Sequence, residues 1–339
     1  MMPLFSTAAL LMMNPLAAIS QAPVPVPIGW QDAPRARAGG MAGALARARR
    51  GGGAGMDGGN DSAERRSATP PTTTLAYGAD PAQAVDFYAA PTGPTGPTPP
   101  TGPTAPNVAA RQLPPLAIYV HGGGWRRGDR AMVAQKPEWF AAHGWAFASI
   151  GYRLLPDAPV ETQAADVAAA IRQLRQNAAR LGFDPNHILL MGHSAGAHLA
   201  ALIGTDGAYL SADMAAVRGI ILLDGAGYDV PRQMADASAL TRRIYEPAFG
   251  TDAARQRALS PMTHIGGADV RQWLILYSQT RADSIRQSTD FAAALRGAGV
   301  AVQRLPVPGS HADINIGFGT PGYAGNSAIE TMMRAVAAP

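Results

Sequence analysis

One stretch of the sequence constrains the fold more than any other: an apolar segment that passes through a glycine-flanked turn into a run of small residues. Residues 188–191 are apolar with a β-branched start, and residues 195–202 are nearly all helix formers. Ser194 lies between them, two residues after Gly192 and two before Gly196. Glycines at these positions remove Cβ atoms where a strand folds directly back into a helix. The pattern predicts a strand, a sharp turn that exposes the Ser194 hydroxyl, and a helix.

Strand-like and helix-like segments alternate along the chain from residue 74 onward. The chain has 339 residues, 47% of them apolar, so it can bury a large core. This alternation predicts an α/β fold: a mostly parallel, doubly wound sheet flanked by helices, in one domain over residues 74–339. A polar stretch over residues 230–260 is expected to form loops at the carboxyl edge of the sheet. We expect strands at 74–78, 84–88, 116–120, 145–151, 188–191, 219–223, 273–277 and 300–305, and helices that begin near 160, 195, 284 and 326.

Most of the Gly- and Pro-rich sequence lies before residue 110. Residues 1–22 are apolar and end in small residues, as a secretory signal peptide does, but no Lys or Arg precedes the apolar run and Asn14-Pro15 interrupts it. The protein is therefore expected to be periplasmic or secreted if this segment is a signal, and cytoplasmic otherwise. The segment is too short and broken for a transmembrane helix, so no stable membrane insertion is expected. Residues 23–72 lack periodicity and are predicted to be disordered, and the Thr-Gly-Pro-rich residues 91–109 are predicted to be a loop insertion.

Three glycines follow a buried strand in the motif HGGGW, residues 121–125. Glycines at the end of such a strand let another group approach the backbone closely, although a plain flexible turn is the alternative. The N–H groups of Gly122 and Gly123, with that of Ala195 at the start of the helix after the serine, can donate to an oxygen that becomes negatively charged. We therefore predict an oxyanion hole formed by these three residues, with Trp125 as a substrate-binding surface beside it.

Catalysis by Ser194 requires two further side chains, because a serine hydroxyl is a poor nucleophile without a histidine base that a carboxylate orients. Two histidines follow the serine helix, His264 and His311, and of these His311 lies after the last predicted strand, where it can reach the carboxyl edge. For the carboxylate, the same rule favours Asp283, which follows the strand at 273–277 by a short polar loop; its alternative role is a helix N-cap. The predicted catalytic residues are Ser194, Asp283 and His311.

Composition argues against several other kinds of site. The chain has no Cys, which excludes disulfides, thiolate metal sites and a cysteine nucleophile. Its seven His show no metal-binding spacing, so no metal is expected, and no cofactor is indicated. The net charge of +4 comes mainly from Arg residues over 31–66 that are interleaved with Gly and Ala and lack aromatic neighbours, so no nucleic-acid partner is expected. The sequence leaves the oligomeric state open.

The glycine motif, the serine turn, Asp283 and His311 together resemble the signature of the α/β-hydrolase superfamily, in its branch of hormone-sensitive-lipase-like esterases. Over residues 74–339 the chain is similar to bacterial feruloyl and acetyl-xylan esterases and to the related kynurenine formamidases. The segment before the first strand is too short to supply a large helical cap, so no large cap domain is expected.

The residues and the resemblance predict a serine carboxylic-ester hydrolase that forms an acyl-enzyme on short-chain acyl or aryl esters, with a small-molecule ester as its partner. An arylformamidase would use the same residues, because both reactions transfer an acyl group to water. A non-catalytic binding protein on a hydrolase fold is the third alternative, and the intact set of residues argues against it. The low aromatic content of 6% and the lack of a long apolar insertion favour short acyl groups.

Overall fold

The computed structural model describes residues 66–91 and 113–339. Within these residues the strands are β1 (Thr73–Ala76), β2 (Ala84–Tyr88), β3 (Leu116–Val120), β4 (Ala146–Ile150), β5 (Ile188–His193), β6 (Val217–Leu223), β7 (Gln272–Ser278) and β8 (Ala301–Val307). They form one sheet in the order β1-β2-β4-β3-β5-β6-β7-β8. Each strand lies where the alternation of the sequence predicts one, to within a few residues at its ends.

The sheet is parallel across its six strands from β4 to β8, whereas β1 pairs antiparallel with β2 and β2 pairs antiparallel with β4. This confirms the predicted mostly parallel sheet. Parallel strands end at the same edge, so the loops that follow β5, β6, β7 and β8 meet there although they are far apart along the chain.

Helices cover both faces of the sheet, as a doubly wound fold requires. Along each strand, successive side chains point to opposite faces. Ile118 and Leu190 therefore belong to one core and Tyr119 and Met191 to the other. The helices of the described residues are α1 (Lys136–Ala142), α2 (Val160–Gln176), α3 (Ala178–Leu181), α4 (Ala195–Thr205), α5 (Gly207–Leu210), α6 (Val230–Asp236), α7 (Ala239–Phe249), α8 (Ala253–Ala258), α9 (Pro261–His264), α10 (Ala282–Gly297), α11 (His311–Ile316) and α12 (Asn326–Ala337), with a 3-10 helix over Ser211–Ala216.

The packing of the helices follows these two cores. Helices α2, α4 and α10 pack on the face of Ile118, while α1 and α12 pack on the face of Tyr119. On α2, the predicted apolar positions Val167, Ile171 and Leu174 are fully buried. Helices thus cover both faces of the sheet. The residues that directly follow the strands lie at its carboxyl edge.

The segment between β6 and β7 differs from the prediction. Instead of polar loops, residues 230–264 contain the four short helices α6 to α9. One side of α7 buries Tyr245, Ala248 and Phe249, which are three and four residues apart. The charged residues Arg242, Arg243 and Glu246 are exposed. Three buried positions in an 11-residue helix are too few for a helical period to stand out in the sequence.

The described residues also include the end of the segment that is predicted to be disordered. Residues 66–72, which fall in the segment expected to be disordered, are held against α1: the Ser67 hydroxyl donates to Glu138 at 2.6 Å and the Thr69 N–H donates to the same carboxylate at 2.9 Å. The predicted signal segment, most of the predicted disorder and nearly all of the loop insertion at 91–109 lie outside the described residues.

Candidate active site

Ser194 lies at the turn between β5 and α4, at the carboxyl edge of the sheet. Its backbone has φ 55° and ψ −119°, which a residue with a side chain rarely adopts. Close backbone approach explains the two flanking glycines: a Cβ on Gly192 would lie 2.1 Å from the carbonyl oxygen of Gly196, and a Cβ on Gly196 would lie 2.2 Å from that of Val120. The turn therefore packs directly on the end of β3, and the surrounding backbone holds the strained serine in place.

His311 is the first residue of α11, on the loop that follows β8. The preceding residue caps this helix: the Asp313 N–H donates to the Ser310 hydroxyl at 3.3 Å and the Ser310 N–H donates to the Asp313 carboxylate at 2.7 Å. This reciprocal pair satisfies two N–H groups that would otherwise lack acceptors at the helix start. The backbone that carries the imidazole is thereby ordered next to the serine turn.

Three side chains from different loops form a continuous series of hydrogen bonds at this edge. His311 Nε2 lies 3.0 Å from Ser194 Oγ, and His311 Nδ1 lies 2.6 Å from Asp224 Oδ2. Asp224 directly follows β6, which is the neighbour of β5 in the sheet. The structure therefore brings Ser194 and His311 together as predicted, with a carboxylate that the sequence analysis did not select.

The Asp224 side chain is fully buried, yet both carboxylate oxygens have partners. Oδ1 accepts from the Ser278 N–H at 2.9 Å and from the Ser284 hydroxyl at 2.7 Å, while Oδ2 accepts from Arg281 Nη1 at 2.7 Å. Burial by itself would raise the pKa of Asp224, but the hydrogen bond to His311 and the charge of Arg281 outweigh it and hold the pKa well below its usual value. Asp224 is therefore ionised at neutral pH.

The charge of Asp224 decides which nitrogen of His311 carries the proton. An ionised carboxylate can only accept, so at 2.6 Å the Nδ1–H must donate to Asp224 Oδ2. Nε2 then presents a lone pair to the Ser194 hydroxyl, which is the arrangement that a general base requires. Arg281 Nη1 also lies 2.6 Å from Nδ1, but in this tautomer both nitrogens are donors and converge on the same carboxylate oxygen.

The prediction that Asp283 orients His311 is wrong. Asp283 lies in the first turn of α10, and its carboxylate accepts from Arg281 Nη2 at 3.0 Å. Arg281 uses its other nitrogen, Nη1, for Asp224, so the guanidinium separates the two carboxylates. Asp283 follows β7 and so satisfies the rule that the acid comes after a strand at the carboxyl edge. Asp224 satisfies the same rule on β6, and an aspartate directly after a buried strand was a signal that could have found it.

The predicted oxyanion-hole residues lie beside the serine turn. A Cβ on Gly122 would be 2.9 Å from Ser194 Cβ, so the glycine motif and the serine turn are in contact. Gly123 has φ 129°, in the region that favours glycine. Ala195 is the first residue of α4, and its N–H therefore has no acceptor within that helix. His121 Nδ1 lies 2.8 Å from the Gly122 carbonyl oxygen, within the same loop.

Trp125 is not available as a substrate-binding surface, contrary to the prediction. Its side chain is buried, with only 2% exposed. The ring packs edge-on against His198, Tyr245 and Phe249, with centroid distances of 5.4, 5.3 and 4.8 Å. Two of these partners belong to α7, a helix in the segment predicted to form polar loops. Because α7 covers the indole, Trp125 anchors the glycine motif to the core instead of facing the solvent.

His193 and His264 take structural positions. His193 is buried with its ring centroid 4.5 Å from that of His311, and its Nε2 lies 3.2 Å from the His311 carbonyl oxygen. Burial and the neighbouring His311 hold the pKa of His193 well below its ordinary value, so the ring is a neutral donor to that carbonyl. His264 Nε2 lies 2.9 Å from the Ala258 carbonyl oxygen, within the helical insertion.

Residues 66–91 and 113–339 contain neither a metal-binding cluster nor a membrane-spanning helix. No group of three or more His, Asp or Glu side chains in these ranges is placed to hold a metal ion. Across the same ranges, no helix combines the length and the apolar character that crossing a membrane requires.

The sequence matches known proteins over part of its length. Residues 104–219, which include the glycine motif and the serine turn, match the BD-FAE family model. Esterase LipC of Mycobacterium tuberculosis (strain ATCC 25618 / H37Rv) is 41% identical over 91 residues, 26% of this chain and 23% of LipC. Carboxylesterase NlhH of the same strain is 37% identical over 90 residues, 26% of this chain and 28% of NlhH. Esterase LipQ of that strain is 28% identical over 228 residues, 60% of this chain and 51% of LipQ. The chain thus spans about a quarter of the first two relatives and about half of the third.

Solved esterase structures share the fold. Esterase B from Lactobacillus Rhamnosis (HN001) superposes with a TM-score of 0.60 at 22% identity, over 79% of this chain and 87% of that one. The apo form of Thermogutta terrifontis esterase 2 gives a TM-score of 0.57 at 22% identity, over 78% and 92% of the two chains. In its sheet order the chain therefore shares the fold of these esterases, and over residues 104–219, which contain the serine turn, it is similar to the BD-FAE family.

Proposed function

We propose that this protein is a serine carboxylic-ester hydrolase that works through an acyl-enzyme. The observation that carries the proposal is the series of hydrogen bonds from Ser194 Oγ through His311 to the buried Asp224, with distances of 3.0 and 2.6 Å. A serine in a strained turn, a base at hydrogen-bonding distance and an ionised carboxylate behind that base are the parts that acyl transfer needs. The relatives named above are esterases, which supports an ester as the substrate.

In the first half-reaction, Ser194 Oγ attacks the ester carbonyl carbon while His311 Nε2 removes the hydroxyl proton. The carbonyl electron pair moves to the oxygen, and the N–H groups of Gly122, Gly123 and Ala195 bind the resulting negative charge. Collapse of this intermediate breaks the ester C–O bond, and the alcohol leaves with the proton held on Nε2. Water then repeats the sequence on the acyl-enzyme, which releases the acid and restores the serine.

We also propose that the acyl group is short. Beside the glycine motif, the rings of Trp125, Tyr245 and Phe249 pack on one another and are buried, so they offer no exposed apolar surface to a long acyl chain. Helix α7 closes on the motif as well, since a Cβ on Gly124 would lie 3.2 Å from Ile244 Cγ2. Solved relatives are consistent with this size: esterase 2 of Thermogutta terrifontis is known with butyrate and with propionate bound, and esterase B with a C4-C4 tributyrin phosphonate. Stacking of an aryl group on Trp125 is not part of the proposal, because that ring is buried.

The test is turnover of p-nitrophenyl acetate by the wild type, by Ser194→Ala and by Ser327→Ala, which removes an exposed hydroxyl on α12 as a matched control. Ser194→Ala should lower kcat by at least about 10⁴-fold, because the nucleophile is lost, while the control keeps the wild-type rate. A fluorophosphonate should label the wild type at Ser194. Hydrolysis at the wild-type rate by Ser194→Ala would overturn the proposal, and faster turnover of N-formylkynurenine than of any ester would make the protein a formamidase.

A further inference from the structure

The guanidinium of Arg281 joins two carboxylates beside His311. Nη1 donates to Asp224 Oδ2 at 2.7 Å and to the Asp224 carbonyl oxygen at 3.0 Å, and Nη2 donates to Asp283 Oδ2 at 3.0 Å. The Arg281 side chain is 26% exposed and that of Asp224 is fully buried, so the pair lies at the boundary between the core and the site. Hydrogen bonds between charged groups that are partly removed from water are among the strongest in proteins.

We propose that Arg281 is a positioning residue of the hydrolase proposed above and that Asp283 holds its guanidinium in place. The inference rests on that proposed function, because Arg281 acts through the carboxylate that orients the His311 imidazole. In this arrangement Asp283 serves the site indirectly, through the arginine, instead of contacting the base.

The backbone of Asp224 explains why its carboxylate needs such support. Asp224 has φ 45°, a left-handed conformation that is unfavourable for a residue with a side chain. The Asp224 N–H donates to the Leu276 carbonyl oxygen at 2.7 Å, and Arg281 Nη1 binds both the carbonyl oxygen and the carboxylate of the same residue. One donor group therefore fixes the backbone and the side chain of Asp224 together, which determines where Oδ2 lies relative to His311.

Arginine is better suited than lysine to this position. Burial alone would lower the pKa of Arg281, but the negative charges of Asp224 and Asp283 outweigh it and raise the pKa above its ordinary value, so the side chain stays charged. Its planar fork reaches Asp224 with one nitrogen and Asp283 with the other. A lysine ammonium would keep the charge but could not span both partners in one fixed plane.

The experiment compares Arg281→Ala, Arg281→Lys and Asp283→Asn with the wild type, by kcat and KM on p-nitrophenyl acetate. The matched control is Arg232→Ala, which removes an exposed arginine that pairs with Asp236 at 2.8 Å on α6. We expect Arg281→Ala to lower kcat by about 10- to 100-fold with KM within about twofold, since a small displacement of the orienting carboxylate misaligns the base. Arg281→Lys should keep more activity than Arg281→Ala, Asp283→Asn should lose a few-fold, and the control should match the wild type.

Rescue by guanidinium separates positioning from a general effect on folding. At non-denaturing millimolar concentration, guanidinium should enter the space left by Arg281→Ala and restore kcat several-fold, while it should have no such effect on Ser194→Ala. A folding defect would not respond in this way. If Arg281→Ala is folded by circular dichroism and keeps the wild-type kcat, or if guanidinium fails to restore a lowered kcat, the inference is wrong. If that variant does not fold, an unchanged kcat in both Arg281→Lys and Asp283→Asn overturns it.

A spectroscopic readout keeps this inference separate from the proposed function. The Nδ1–H of His311, bonded to Asp224 at 2.6 Å, should give a low-field proton resonance that Asp224→Asn abolishes. Arg281→Ala should weaken the resonance and guanidinium should restore it, whether or not an ester is hydrolysed. If the wild type hydrolyses no ester, the proposed function is wrong, but the resonance of His311 still tests the role of Arg281. If Ser194→Ala is inactive but Arg281→Ala leaves both kcat and the resonance unchanged, only the role proposed for Arg281 is wrong.

Discussion

Replacement of Lys136 by Met should stabilise the protein at neutral pH, and the gain should disappear as the pH rises. Lys136 is the only lysine in the sequence, and its side chain is fully buried. Its ammonium donates to the carbonyl oxygen of Asn315 at 2.9 Å and to the Asn315 side-chain oxygen at 2.8 Å, and it lies 4.8 Å from the centre of the Tyr119 ring. Among the described residues, no carboxylate forms an ion pair with it, so burial of its charge is poorly compensated.

The size of the expected stability gain follows from the pKa of Lys136. Burial lowers the pKa of Lys136 from 10.5 to about 7. Between these values the unfolded chain binds more protons than the folded one, so the free energy of unfolding rises with pH. At about 1.4 kcal/mol per pKa unit, the cost of the buried charge is about 4 kcal/mol at pH 7 and about 2 kcal/mol at pH 9. Methionine removes this cost but leaves the carbonyl oxygen of Asn315 without its donor, while the side-chain oxygen keeps the Tyr119 hydroxyl at 2.9 Å. The lost hydrogen bonds cost about 1–3 kcal/mol. The free energy of unfolding of the variant should be higher than that of the wild type by roughly 1–3 kcal/mol at pH 7, and about equal to it at pH 9.

Denaturant unfolding followed by tryptophan fluorescence, at constant ionic strength and several pH values between about 7 and 9, measures this difference. Arg232→Met, which neutralises an exposed cation, is the control and should show no such dependence on pH. Because the chain has a single lysine, selective ¹³C labelling of lysine gives one side-chain signal whose titration reports the pKa of Lys136 directly. A stability difference that stays constant between pH 7 and pH 9, or a lysine signal that titrates near its ordinary value in the folded protein, would refute the reasoning.

Two further predictions concern catalysis. Asp224→Asn should lower kcat by about 10³- to 10⁴-fold, because an amide favours the wrong His311 tautomer, whereas Asp283→Asn should cost less than about 10-fold. Kinetics of the two purified variants on one ester check this, and equal losses would contradict the assignment of the acid to Asp224. In a series of p-nitrophenyl esters, kcat/KM should fall beyond about four acyl carbons, since each methylene gains about 0.8 kcal/mol only where a pocket buries it. A maximum at octanoate or longer would reveal an acyl-binding groove.

Local sequence patterns were sufficient to predict most of the fold. The strands β3 to β7 of the parallel sheet are buried on both faces, and such strands are short apolar runs that stand out between helices. The buried face of α2 could be predicted because the apolar residues Val167, Ile171 and Leu174 repeat at helical spacing, and all three are buried. The same reasoning failed over residues 230–264, where the helices have only 4 to 11 residues. A helix this short has too few turns for a repeat of apolar residues to be recognised in the sequence.

The sequence by itself determined the serine turn, the glycine motif and the position of His311. Each depends on spacing within a few residues, or on order along the chain after the last strand. Only the tertiary structure decided that Asp224 faces His311, across 87 residues of sequence, and that α7 covers Trp125. The physical reason is that β6 and β7 are parallel neighbours that end at the same edge, so the aspartates after them satisfy the same local rule. What separates the two is a contact between side chains: Arg281 binds both carboxylates, and the one that is fully buried is the one that reaches the imidazole.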